Sequence, residues 1–139
     1  MRRIVLSALL LALAATTAAC TGSGSSGLTG KVWQLTAITE KVPAFQGVVP
    51  DADQPNYTIE FKPAGVFEAK ADCNQLSGAY TTTSSGGMTI EPGPMTMMAC
   101  PEGSFADQYV TGLAKTDSYA LASGALTLNQ NDGGTLTFK

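Results

Sequence analysis

Ala125-Leu126-Thr127-Leu128-Asn129-Gln130-Asn131-Asp132-Gly133-Gly134-Thr135-Leu136-Thr137-Phe138 is two short runs of alternating apolar and polar residues around an Asn-Asp-Gly-Gly turn. Alternation with period two places every second side chain on one face of a sheet. Tight hairpin turns require positive φ, which suits Asn, Asp and Gly. The stretch therefore predicts a closing β-hairpin, and the pattern recurs upstream. Residues 57–61 and 66–69 alternate around Lys62-Pro63-Ala64-Gly65, which predicts a second hairpin. Residues 31–38, with Val32, Trp33, Leu35 and Ile38, predict an opening strand. Residues 78–83, 88–91 and 95–99 predict further short strands, separated by Ser84-Ser85-Gly86-Gly87 and Pro92-Gly93-Pro94. One segment departs from this period. Phe105, Tyr109 and Leu113 recur at helical spacing, so a single helix is predicted over residues 105–114. Ser104 is placed to cap it and Asp107 lies near the positive end of its dipole. The expected fold is mainly β with one helix: a small antiparallel β-barrel or strongly curved sheet with one packed α-helix.

The chain has 139 residues, 44% hydrophobic and 14% charged, which fits one domain and neither a disordered tail nor a coiled coil. It contains no histidine, which excludes a Ser-His-Asp or Cys-His catalytic group and a His-ligated zinc. Residues 1–19 predict a signal peptide, because Arg2 and Arg3 precede an apolar run that ends in Ala18-Ala19. That run covers 16 residues and is interrupted by Ser7, Thr16 and Thr17. A membrane span needs roughly 20 apolar residues. Cys20 follows at once and resembles the lipobox Cys of bacterial lipoproteins, which is diacylated after cleavage. Thr17 stands where that pattern favours Leu, and ordinary cleavage after Ala19 is the alternative. Residues 20–27 are expected to be a lipidated Cys followed by a Gly/Ser tether, whose seven residues after Cys20 reach roughly 15 Å. Two or more acyl chains anchor a protein stably where one does not. The expected location is exported and lipid-anchored to the cell membrane or outer membrane, facing the periplasm or the cell exterior. Without Arg2 and Arg3, six Lys stand against eleven Asp and Glu, a net charge of −5 with no arginine left. That balance argues against a nucleic-acid partner.

With Cys20 assigned to a lipid, Cys73 and Cys100 are an even pair in an exported domain, where a disulfide is the default chemistry. A redox-active pair is the alternative, but such pairs favour close C-x-x-C spacing, and these lie 27 positions apart. Closing a loop of about 28 residues contributes roughly 3.6 kcal/mol on the chain-entropy account.

An ordered set of pieces resembles the META domain, the family of HslJ-like heat-shock proteins formerly classed as a domain of unknown function (DUF306). The pieces are Cys73-Asn74, Gly78 with Tyr80, Thr96-Met97-Met98-Ala99-Cys100, the helix, and the closing Leu126-Thr127-Leu128 and Leu136-Thr137-Phe138. The opening Leu28-Thr29-Gly30-Lys31-Val32-Trp33-Gln34-Leu35 is similar to the family's start, in which a Trp leads the first strand. The resemblance spans residues 28–138, so residues 28–139 are expected to form one META-like domain. It implies a compact antiparallel β-barrel with a helix, often in an exported lipoprotein, tied to heat and envelope stress and with no established reaction. The motif residues Trp33, Asn74, Gly78, Tyr80 and Thr96 are expected to be structural. Trp33 would anchor the core with its N–H satisfied. Asn74 would hold a turn or bond local backbone, and Gly78 would mark a bulge or a close backbone approach.

The remaining candidates carry little chemistry. Met88, Met95, Met97 and Met98 fall within eleven positions. In a strand, though, Met95 and Met97 would point opposite to Met98, so core filling is expected over Cu(I) ligation. Residues 41–56, with Pro43, Pro50 and Pro55, form a candidate binding loop in which Asp51, Asp53 and Asn56 offer oxygen ligands. A calcium site needs six or more oxygens, and no metal or cofactor is expected. Two function classes remain. The first is a non-catalytic, monomeric envelope lipoprotein that protects or scaffolds under stress through contacts with an envelope protein partner. The second is a small-ligand or peptide-binding, protease-inhibitor-like β-barrel module. An apolar cavity of about 300 Å3 beside the loop would favour the second. A filled core with an exposed sheet edge would favour the first.

Overall fold

The opening apolar run forms β1 (Val32–Glu40), whose two halves pair with different neighbours. A computed structural model describes residues 27–139; the signal segment, Cys20 and most of the tether lie outside the described residues. After β1 come β2 (Phe45–Val48), β3 (Tyr57–Lys62), β4 (Val66–Ala71), β5 (Asn74–Thr82) and β6 (Met88–Met95). The helix α1 (Ala106–Ala114) leads to β7 (Thr116–Ala122), β8 (Ala125–Gln130) and β9 (Thr135–Phe138). Along its first half β1 pairs with β3, Trp33 opposite Ile59. Along its second half it pairs with β9 on one side, Ile38 opposite Leu136, and with β2 on the other, Ile38 opposite Gly47. The register shifts between Leu35 and Ala37, a bulge that bends a strand and increases its twist.

The resulting antiparallel sheet runs β6-β5-β4-β3-β1-β9-β8-β7, with β2 beside β1. It curves until its two ends touch at one corner, where the Tyr119 amide donates to the Gly86 carbonyl at 3.0 Å. The architecture is thus mainly β with one helix, a strongly curved half-barrel. Alternation fills its concave side: Leu126, Leu128, Ile59, Phe61, Leu136 and Phe138 are all buried.

Both hairpins read from the sequence form, and the turn between β8 and β9 shows why its residues suit it. Gly133 takes φ +85°. Asp132 accepts from the Gly134 amide and from Lys115 Nζ, each at 3.0 Å. The Lys115 hydrogen bond, seconded by the Gly134 N–H, holds the Asp132 carboxyl below the usual carboxylate range.

The helix lies against the curved sheet with Tyr109 and Leu113 fully buried. Its first turn begins one residue later than predicted, and Ser104 Oγ accepts the Ala106 amide at 3.2 Å. Tyr109 reaches between Tyr57 and Phe138, its ring centroid 6.2 Å from each, and donates its hydroxyl to the Thr58 carbonyl at 3.0 Å. Burial pushes this phenol's pKa well above the usual value.

Three local expectations fail. Pro92-Gly93-Pro94 does not end a strand: β6 runs through it to Met95, and residues 96–100 are a loop rather than a strand. Edge strands tolerate proline because the missing N–H has no ladder partner. The loop read over residues 41–56 contains β2; β7, for which the sequence carries no clear alternation, has Ser, Thr, Asp or Ala at five of its seven positions and lies on a sheet edge.

Truncating Tyr109 should test whether the helix is the plug of this half-barrel. Tyr109→Ala should lose about 3–5 kcal/mol of stability in denaturant unfolding, and Tyr109→Phe about 1 kcal/mol for the lost hydroxyl bond. Because the folded pKa is raised, this phenol's contribution is complete below the pKa of a free tyrosine and is lost as pH rises beyond it. A Tyr109→Ala variant as stable as the parent would contradict the packing described.

Candidate functional site

The disulfide Cys73–Cys100 is formed, with the two Cα atoms 5.4 Å apart. Beside it, Asn74 is buried and uses its whole amide on the loop after β6. Its Nδ2 donates to the Met98 carbonyl at 3.0 Å, and its Oδ1 accepts from the Met98 amide at 2.8 Å. Thr96 Oγ1 donates to the same oxygen at 3.0 Å and accepts from the Gln75 amide at 2.9 Å. One asparagine side chain therefore stands in for a missing strand partner, satisfying backbone groups that would otherwise have no ladder. Met97 and Met98, on the loop so held, are 85% and 60% exposed.

The other motif residues sit in the body of the sheet. Trp33 is buried and its Nε1 donates to the Leu28 carbonyl at 2.9 Å, while Lys31 Nζ lies 4.0 Å over its ring. Tyr80 packs edge-on against Phe61 with centroids 4.8 Å apart, and its hydroxyl donates to the Lys62 carbonyl at 2.9 Å. Burial, with a smaller push from Tyr119, raises the Tyr80 pKa. At Gly78 a Cβ would lie 2.2 Å from the Glu91 carbonyl oxygen and 2.7 Å from the Phe67 ring, so β5 and β6 approach there only without a side chain.

The three oxygen donors of the loop do not share a partner. Asp51 accepts from Gln54 Nε2 at 2.8 Å and lies 3.5 Å from Lys139 Nζ, whereas Asn56 accepts from Lys70 Nζ at 2.8 Å. Asp53 is exposed at the start of the short turn that precedes β3. Among the described residues, no group of three or more His, Cys, Asp and Glu side chains gathers at a point.

The structure contains two features that the sequence reading did not single out. The first is a groove of about 410 Å3 on the outer face of β3, β4 and β5, lined by Thr58, Glu60, Glu68, Lys70, Gln75 and Ser77. Glu60 and Glu68 sit directly opposite in register, an arrangement that like charges disfavour. Lys62 relieves it on one side, 2.6 Å from Glu68, and this hydrogen bond raises the Lys62 pKa. A hairpin centred on Ala64 pairs residues 60 and 68, so the turn position carried this signal.

The second feature is the free edge of β2. The Val49 amide donates to the Thr36 carbonyl at 2.9 Å, and alternation along the strand then turns the backbone groups of Gln46 and Val48 away from β1. Among the described residues no strand pairs with that edge. Val48 and Val42 beside it are 78% and 71% exposed. A smaller hollow of about 290 Å3, lined by Thr39, Lys41, Phe45 and Gln46, adjoins it.

The profile of one protein family, the META domain, matches residues 26–139. No curated protein matches the chain. Among solved structures, the chain is similar to an NMR structure of a protein from Burkholderia xenovorans. It is 21% identical to that protein with TM-score 0.63, over 93% of this chain and 97% of that one. It is also similar to a crystal structure of a duf4847 family protein from Bacteroides vulgatus, at 13% identity and TM-score 0.58, over 82% of this chain and 94% of that one. At these identities the likeness is one of fold.

Removing the Asn74 amide should release the loop while the sheet persists. Asn74→Ala should cost about 1–3 kcal/mol for the buried groups left unpaired. Hydrogen exchange at the Met98 amide should accelerate while that at Ile59 does not. Unchanged exchange at Met98 would mean that the disulfide alone holds the loop.

Proposed function

Since the chain belongs to the META domain family, we propose that it is an exported lipoprotein, anchored through Cys20, that works without catalysis by holding a protein partner at the free edge of β2. The observation that carries this reading is where the apolar mass of the domain lies. Trp33, Phe61, Tyr109, Leu113 and Phe138 occupy the concave side, each 2% exposed or less. A ligand of drug-like size needs a cavity of about 300 Å3 or more, and the recess of about 410 Å3 opens instead on the outer face, where Glu60, Glu68 and Lys70 line it together with Val32, Leu76 and Pro94. Binding therefore falls to the surface. A strand edge with unpaired backbone groups recruits an extended segment by main-chain hydrogen bonds, and Val48 and Val42 offer apolar contact beside it. Stress-related protection or scaffolding of an envelope protein by a monomer is the role this arrangement suits.

The outer groove favours a second reading, in which a small ligand or peptide lies across β3–β5 with a cationic group near Glu60, whose carboxylate makes no salt bridge within 4 Å among the described residues and meets Lys62 only at longer range.

A photoreactive residue placed in intact cells at Gln46, and separately at Ser77, tests both readings. A protein adduct from Gln46 is expected. An adduct from Ser77 alone would move the function to the groove, and no protein adduct from either position would overturn the proposal. The anchor is tested apart from this. Cys20→Ser should abolish incorporation of labelled fatty acid and move the protein from the membrane to the soluble fraction. Label retained in that variant would refute lipidation at Cys20.

A further inference from the structure

Sulfur is distributed unevenly in this domain. Cys73 and Cys100 are already oxidised to a disulfide, so among the described residues no thiol is present. Of the four methionines there, Met88 is 2% exposed in the core and Met95 is partly buried against it. Met97 at 85% and Met98 at 60% stand in solvent, and Met97 is the most exposed large apolar side chain of the described residues.

We propose that Met97 and Met98 form a surface oxidation site, at which each thioether takes one oxygen atom from a peroxide-class oxidant while the fold remains intact. In the reaction the thioether sulfur attacks an oxygen of hydrogen peroxide. The O–O bond breaks as the S–O bond forms, sulfur is oxidised by two electrons, and the proton of the transferred hydroxyl passes to the departing hydroxide, leaving the sulfoxide and one water. Susceptibility follows exposure, which ranks Met97 and Met98 above Met95 and Met88.

The loop geometry is what makes the modification tolerable. Its backbone is held through Asn74, at the Met98 amide and carbonyl, and through the disulfide, not through the methionine side chains. A sulfoxide, polar where the thioether was apolar, therefore meets water over most of each side chain and leaves the backbone bonds of the loop in place. The outcome is a patch that changes from apolar to polar under oxidant and that a sulfoxide reductase class of enzyme restores. This inference stands apart from the partner at β2.

Limiting hydrogen peroxide added to the mature, lipidated protein, followed by peptide mass mapping, tests it. The first two oxygen atoms should fall on Met97 and Met98, with Met88 reacting at least about tenfold more slowly. The melting temperature of this doubly oxidised protein should match that of the untreated protein. The M97L/M98L variant, which keeps the apolar bulk and the Asn74 bonds, should fold and lose the fast oxygen uptake. Equal rates at Met88 and Met97, fast uptake persisting in the double variant, or a melting temperature that falls when only these two residues are oxidised would overturn the proposal.

Discussion

Strand β1 is paired along its first half with β3 and along its second half with β9 and β2, so both wings of the sheet share one stretch of backbone. Everything else in the domain depends on that sharing. The bulge between Leu35 and Ala37 lets one strand serve two directions, and the wings then curve toward each other until β7 meets the β5–β6 turn at Gly86. Curvature creates a concave side, and a concave side needs something to fill it, because exposed apolar faces are costly. The helix between the wings supplies that filling through Tyr109 and Leu113.

A filled interior leaves the outer surface as the place where the proposed partner would be met. The largest apolar side chains are consumed in joining sheet to helix, and what remains outward is a groove of mixed lining, a strand edge and a loop held by Asn74. The loop is the unusual part. It is irregular backbone after an edge strand, where mobility is the general rule, yet a buried asparagine and a disulfide fix it from beneath. Such a construction holds the backbone independently of the side chains it displays, and Met97 and Met98 are the exposed ones.

Much of this was legible in the residues, for identifiable reasons. Period-two alternation in the hairpin of β8 and β9, and in that of β3 and β4, is enforced by one buried face each, so these elements were clear. The helix was clear because Phe105, Tyr109 and Leu113 recur at helical spacing and pack on the core. Strand β7 was hidden, since an edge strand with a half-exposed face needs no strict pattern. The strand expected over residues 95–99 misled beyond Met95 for the opposite reason: its residues suit a strand, but Asn74 captures the Met98 backbone first. Side-chain competition for backbone groups leaves no periodic trace. The groove between Glu60 and Glu68 was implicit in hairpin register, while the free edge of β2 depended on the long-range pairing of β1, which short-range pattern does not carry.

The dependence on β1 is open to native-state hydrogen exchange followed residue by residue, which separates local opening from global unfolding. If both wings hang on β1, the amides of Ile38 in β1, Ile59 in β3 and Leu136 in β9 should all exchange with the free energy of global unfolding, and the outward amides of Gln46 and Val48 should exchange far faster. A partial opening that frees β7, β8 and β9 while β3, β4 and β5 stay protected would contradict it, because the wings would then be separate folding units.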